Sequence, residues 1–139
     1  MKTNFERVKE FHALFKHPVD GPMTPTSLEF RWDLICEEAD ETFRELYTGV
    51  DLEAGAPAID IETINLAKLT KELADLLYVI YGFAVQFGLP IDEVFAKVHE
   101  SNMSKLGPNK EPIYNEAGKV MKGPNYQPPD IEGLFNGTE

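Results

Sequence analysis

Two short acidic segments have the residue types and spacing to do chemistry: Glu37-Glu38-Ala39-Asp40-Glu41 and Glu72-Leu73-Ala74-Asp75. Each places carboxylates three residues apart, and on a helix residues at i and i+3 share a face. Glu38, Glu41 and Glu45 fall on one face, with Glu37 at its edge and Arg31 nearby, while Glu72 and Asp75 share a face with Lys68. Two carboxylates about 6 Å apart repel by on the order of 2–3 kcal/mol at an effective dielectric near 20. Bringing four together is unfavourable unless a cation neutralises them or some stay protonated. Hard oxygen ligands suit Mg²⁺ or Mn²⁺, and such an ion could orient phosphate oxygens and activate a water. The alternative is a solvated acidic face. Against it, the second segment is embedded in Leu73, Ala74, Leu76 and Leu77, where unpaired charge is costly. A di-iron bundle would need Glu-x-x-His pairs. None of His12, His17 or His99 has a glutamate three residues before it.

These groups need helices to hold them. Phe5, Val8, Phe11, His12 and Phe15 recur at helical spacing and predict a first helix over residues 4–15. A loop with Pro18, Gly21, Pro22 and Pro25 follows. Thr26 or Ser27 is the expected N-cap of a second helix running to Leu46 or Tyr47, and Gly49 ends it. Residues 50–60 read as a loop, a third helix covers about 62–87 and closes at Gly88, and Pro90 opens a fourth to about Ser104. On the second helix, Trp32, Ile35, Ala39, Phe43 and Leu46 are expected to point toward the core, and Cys36 to pack there. Beyond Leu106 the composition turns to Pro, Gly and Asn, with a short hairpin expected around Asn115 to Lys119. The fold class is therefore all-α, four helices over residues 1–106 with an irregular C-terminal tail over 107–139 that packs on the same or a neighbouring subunit.

The third helix is apolar along Leu66, Leu69, Leu73, Leu76, Leu77, Ile80, Ala84 and Phe87, and past Asp75 its polar face fades into Val79 and Gly82. A helix apolar on both faces is buried on both faces. A single small bundle covers such a helix poorly, which predicts a homodimer or homotetramer.

With 139 residues and a formal charge of −11, the surface repels nucleic acid and would repel a free triphosphate without metal ions or placed cations. The longest apolar run, residues 76–85, is too short to span a bilayer and contains Gly82. The N-terminus reads as amphipathic helix rather than leader, and one cysteine excludes an intrachain disulfide. A cytoplasmic location is expected, in a host cytoplasm if the gene is a phage's.

Glu37-Glu38-x-x-Glu41 followed by Glu72-x-x-Asp75-Leu76-Leu77 resembles the MazG-like all-α nucleoside triphosphate pyrophosphohydrolase superfamily. The segments from His99 to Pro108 and from Lys122 to Asp130 are similar to its bacterial and phage phosphoribosyl-ATP-pyrophosphohydrolase-like branch. The resemblance implies cleavage between the α- and β-phosphates of a (d)NTP, giving (d)NMP and pyrophosphate, with Mg²⁺ or Mn²⁺ as cofactor. The implied metal ligands are Glu38, Glu41, Glu72 and Asp75, with Glu37 as a further ligand or as base for the attacking water. The thirty residues between Glu41 and Glu72 exceed the spacing of many members. Some phage-type relatives act on guanine nucleotides, which inclines the expectation toward dGTP or GTP. The alternatives are phosphoribosyl-ATP hydrolysis and a non-catalytic metal-binding helical module.

Asn102 and Lys105 resemble an Asn-x-x-Lys/Arg pair near the substrate in that superfamily; as plain helix-end residues they would satisfy the C-terminus. Lys68 and Lys71 stand one turn before Glu72 and Asp75, able to touch phosphate or to pair with those carboxylates. Trp32 could stack on a base or anchor the core, and His12 could bond a base or sit as a satisfied core histidine.

Overall fold

A computed structural model describes residues 1–136 of the chain; the last three residues of the expected tail, 137–139, lie outside the described residues. The all-α expectation holds: four helices carry the fold, with one two-stranded sheet. The chain divides into two units, Met1–Leu89 and Pro90–Glu139.

In the first unit, α1 (Asn4–Leu14) opens on a capping box in which Thr3 Oγ1 accepts from the Glu6 amide and Glu6 Oε2 accepts from the Thr3 amide at 2.7 Å. Helix α2 (Pro25–Leu46) starts earlier than the sequence suggested. Thr24 is its cap, exchanging hydrogen bonds with Ser27, and Pro25 takes the first helical position, where a missing N–H costs nothing. The segment read as a plain loop contains a hairpin of β1 (Gly49–Asp51) and β2 (Ala56–Ala58), in the register Gly49↔Ala58, Val50↔Pro57, Asp51↔Ala56. Its turn is built locally: Asp51 Oδ1 accepts from the Glu53 and Ala54 amides, and Gly55 adopts φ 62°. Pro57 is tolerated because a two-stranded ribbon has free edges.

Helix α3 (Leu66–Phe87) is capped by Asn65, whose Oδ1 accepts from the Lys68 amide, four residues later than the expected start. It ends where predicted, at Gly88 in the left-handed conformation. Helix α3 packs against both α1 and α2. The densely buried centre gathers Val8 of α1 and Ala84, Val85 and Phe87 of α3. Toward the start of α3 the apolar stripe is uncovered, with Leu66 73%, Leu73 47% and Leu77 54% exposed. On α2 the inward expectation is corrected for Trp32 (59% exposed), Phe43, Ala39 and Cys36, which are exposed. The spacing 32, 36, 39, 43 makes a narrow apolar stripe on α2, distinct from the face that carries Arg31 and Glu38.

The second unit holds α4 (Ile91–Met103), with Asp92 and Glu93 in its first turn, and the tail. Tyr114 and Val120 form a single antiparallel bridge at the expected hairpin, closed by Gly118 at φ 76°. The tail returns to α4 of its own chain: Ser101 Oγ donates to the Gln127 carbonyl at 2.8 Å, and the Gln127 amide donates to Ser104 Oγ at 2.9 Å. A 3₁₀ turn, Glu132–Leu134, follows. Among the described residues no single helix is long and apolar enough to cross a membrane.

Candidate metal centre

Antiparallel packing of α2 on α3 brings three carboxylates together. One oxygen each of Glu38, Glu72 and Asp75 lies within 4.8 Å of the others, and all three side chains are partly buried. The i, i+3 spacing aims Glu72 and Asp75 off one face of α3, and Glu38 meets them from α2. Lys71 Nζ approaches Asp75 Oδ2 at 2.7 Å and Glu72 Oε1 at 3.2 Å. These two carboxylates raise the Lys71 pKa well above its ordinary value, through hydrogen bonds to Asp75 and then Glu72, so it stays cationic. Glu38 is held differently. Its Oε2 is buried and has no hydrogen-bond partner. Burial first, then the charges of Glu41, Asp75 and Glu72, push its pKa up, and Lys71 only partly offsets this.

The residues fit a divalent metal. The donors are hard carboxylate oxygens, they converge, and Glu38 keeps a buried oxygen that nothing in the protein satisfies. A lysine lodged between two of the three is the electrostatic stand-in for such a cation.

The other predicted residues are placed as follows. Glu41 and Glu37 are exposed, and Glu41 acts on Glu38 through its charge rather than as part of the close trio. Lys68 is exposed on α3. Trp32 is exposed on α2. His12 lies in the interior at 2% exposure, its Nδ1 bonded to the Pro18 carbonyl at 2.8 Å, and burial is the main cause of its lowered pKa. Packed this way, its ring presents no open surface to a ligand. In the second unit, Lys105 Nζ donates to Asn102 Oδ1 at 2.8 Å, so that i, i+3 pair is in contact.

Sequence reasoning gave little weight to a second polar group in the first unit. Arg31, 5% exposed, donates through Nε to Gln86 Oε1 of α3. Gly82 makes the room: a Cβ there would stand 3.1 Å from Arg31 Nη1 and 3.4 Å from His12 Nε2. A glycine and a glutamine inside an otherwise apolar helical run were the available signal.

The chain is similar in sequence to known proteins. An alignment 97 positions long, covering 65% of this chain, is 30% identical to the uncharacterized protein L479 of Acanthamoeba polyphaga mimivirus and spans 33% of that protein's length. A proposed NTP pyrophosphohydrolase from Exiguobacterium sp. 255-15 aligns at 27% identity and TM-score 0.46, over 97% of this chain and 92% of that one. Residues 8–102, which hold α2, α3 and all three converging carboxylates, match the family described as phosphoribosyl-ATP pyrophosphohydrolase, within the MazG-like superfamily. The chain belongs to that family.

Proposed function

We propose that this chain is a metal-dependent nucleoside triphosphate pyrophosphohydrolase, converting (d)NTP to (d)NMP and pyrophosphate. The observation that carries the reading is the convergence of Glu38, Glu72 and Asp75 within 4.8 Å, with one Glu38 oxygen buried and unpartnered, in a chain of this family. Glu38, Glu72 and Asp75 would hold Mg²⁺ or Mn²⁺, with Glu41 one turn on as a further ligand. A divalent cation there supplies charge neutralisation for carboxylates and polyphosphate and lowers the pKa of a coordinated water.

The protein's own residues do the rest. Water attacks the α-phosphorus, forming one P–O bond as the bond from that phosphorus to the α,β-bridging oxygen breaks. Pyrophosphate leaves with the electron pair. Glu37, exposed beside Glu38, takes the proton from water. Lys71, kept cationic by its carboxylate neighbours, would contact the phosphates if Asp75 and Glu72 were engaged in holding a metal. Lys68 is a further phosphate contact, and exposed Trp32 is available for base stacking.

Assembly belongs to the same proposal. The exposed stripe of Cys36, Ala39 and Phe43, together with the bare start of α3, is the face on which a second copy would pack. A monomeric mass by light scattering at micromolar protein would refute this.

The family's own description favours a second reading, hydrolysis of phosphoribosyl-ATP. Pyrophosphate release from the eight common NTPs and dNTPs and from phosphoribosyl-ATP, with Mg²⁺ or Mn²⁺, separates the two. dGTP and GTP come first among the former. Release from none of them, with metal present, removes both readings.

A further inference from the structure

We infer that Arg31 is an oxyanion receptor, its guanidinium taking a phosphate oxygen of the polyphosphate gathered at the carboxylates. The inference rests on the pyrophosphohydrolase reading. Among the described residues, two buried side-chain atoms lack hydrogen-bond partners, Glu38 Oε2 and Arg31 Nη2. They belong to one face of α2, seven residues and two turns apart, an axial rise of about 10 Å. On α3, Gly82 and Gln86 follow Asp75 by seven and eleven residues and share its face. The seam between the two helices thus has a carboxylate end and a guanidinium end.

Each end suits something the substrate brings. The carboxylates offer hard oxygen donors suited to a divalent cation. Arg31 lacks an anion: its Nε is met by the neutral Gln86 amide, its Nη1 rests against Gly82, and no ion pair to it is present among the described residues. A buried guanidinium is ordinarily paired, and its planar fork suits phosphate. Lys71 cannot fill this role in the metal-free protein, because Glu72 and Asp75 engage it. A metal-held polyphosphate extending along the seam brings an anionic oxygen to Nη2. Because Arg31 is 5% exposed, binding must part the seam locally, and Trp32, the next residue and the single tryptophan, reports that movement.

The test uses the full chain with Arg31→Met and Arg31→Lys, titrated first with Mn²⁺ alone and then with inorganic pyrophosphate and an α,β-methylene dNTP, read by calorimetry and Trp32 fluorescence. Arg31→Met should bind Mn²⁺ at least as tightly as the parent, since a nearby cation is gone. It should bind pyrophosphate and the analogue about tenfold or more weakly, the loss of one charge-assisted hydrogen bond. Arg31→Lys should recover part of that loss. Gln86→Glu supplies a second route if Arg31→Met does not fold: a carboxylate against Nε neutralises the guanidinium and should weaken analogue binding similarly. Unchanged analogue affinity in a folded Arg31→Met or Gln86→Glu protein overturns the inference while the parent's turnover leaves the enzymatic reading standing. A parent protein that neither binds the analogue nor releases pyrophosphate overturns both.

Discussion

Replacing Glu38 by Gln should make the metal-free protein more stable and the metal-bound protein inactive. Glu38 faces two carboxylates with oxygens within 4.8 Å. Lys71, bridging those two, cancels roughly one of their charges. One uncancelled negative charge at 4.8 Å costs Glu38 about 3.5 kcal/mol at an effective dielectric of 20 and about 0.9 kcal/mol at that of water. The site is partly buried, so the relief lies between these limits. Glutamine keeps the shape and removes the charge. For a chain of this length that is a rise in melting temperature of roughly 3 °C or more in EDTA. With Mn²⁺ the order reverses. A ligand at a hundred times its dissociation constant stabilises the parent by about 2.7 kcal/mol, and Glu38→Gln forfeits most of that shift along with turnover. The assay is thermal melting by circular dichroism, with EDTA and with Mn²⁺, beside pyrophosphate release. A variant that melts lower in EDTA, or responds to Mn²⁺ as the parent does, would falsify the claim that the trio is a strained cation site.

The same group sets a pH dependence. Glu38's pKa is raised in the native protein, so there the folded state binds more protons than the unfolded chain. Metal-free stability attributable to Glu38 therefore falls as pH rises from the ordinary glutamate range through the raised value, while Mn²⁺ affinity rises over the same window. The stability difference between Glu38→Gln and the parent isolates this term, because His12 contributes to both; a difference that does not grow with pH contradicts it. Lys71→Met should tighten Mn²⁺ binding measured by calorimetry, since the competing ammonium is gone; weaker binding would show the lysine helps to assemble the site. Gly82→Ala should lower the melting temperature despite alanine's better helix propensity, because its Cβ would stand 3.1 Å from Arg31 Nη1 in a packed interior. A cost of about 1–3 kcal/mol is expected for such overpacking, and a melting temperature at or above the parent's would mean Arg31 moves freely. Phe43→Asp should shift the mass by light scattering toward the monomer; an unchanged mass places the assembly face elsewhere.

Much of this was legible in the residues themselves. Helical periodicity located all four helices, Gly88 marked the end of α3, and the i, i+3 spacing of Glu72 and Asp75 put them on one face wherever that helix packed. Local competition among capping residues moved the boundaries: Thr24 with Pro25 outcompeted Thr26 or Ser27, and Asn65 outcompeted the earlier start near Glu62. The hairpin of β1 and β2 escaped notice because its strands are three residues long, too short for alternation to register, and one contains Pro57.

The sequence by itself determined the acidic faces, because side-chain direction on a helix follows from spacing alone. Only the tertiary structure decided which acids meet. Sequence puts Glu38 and Glu41 on one face with Glu37 at its edge, but the packing of α2 on α3 buries an oxygen of Glu38 against Glu72 and Asp75 and leaves Glu37 and Glu41 exposed. It also decided that Arg31 goes inward beside Gly82 and Gln86 while Trp32 and Cys36 face out. Burial, and with it the cost of a charge, is a property of the neighbours across the seam, and those lie more than thirty residues away in the chain.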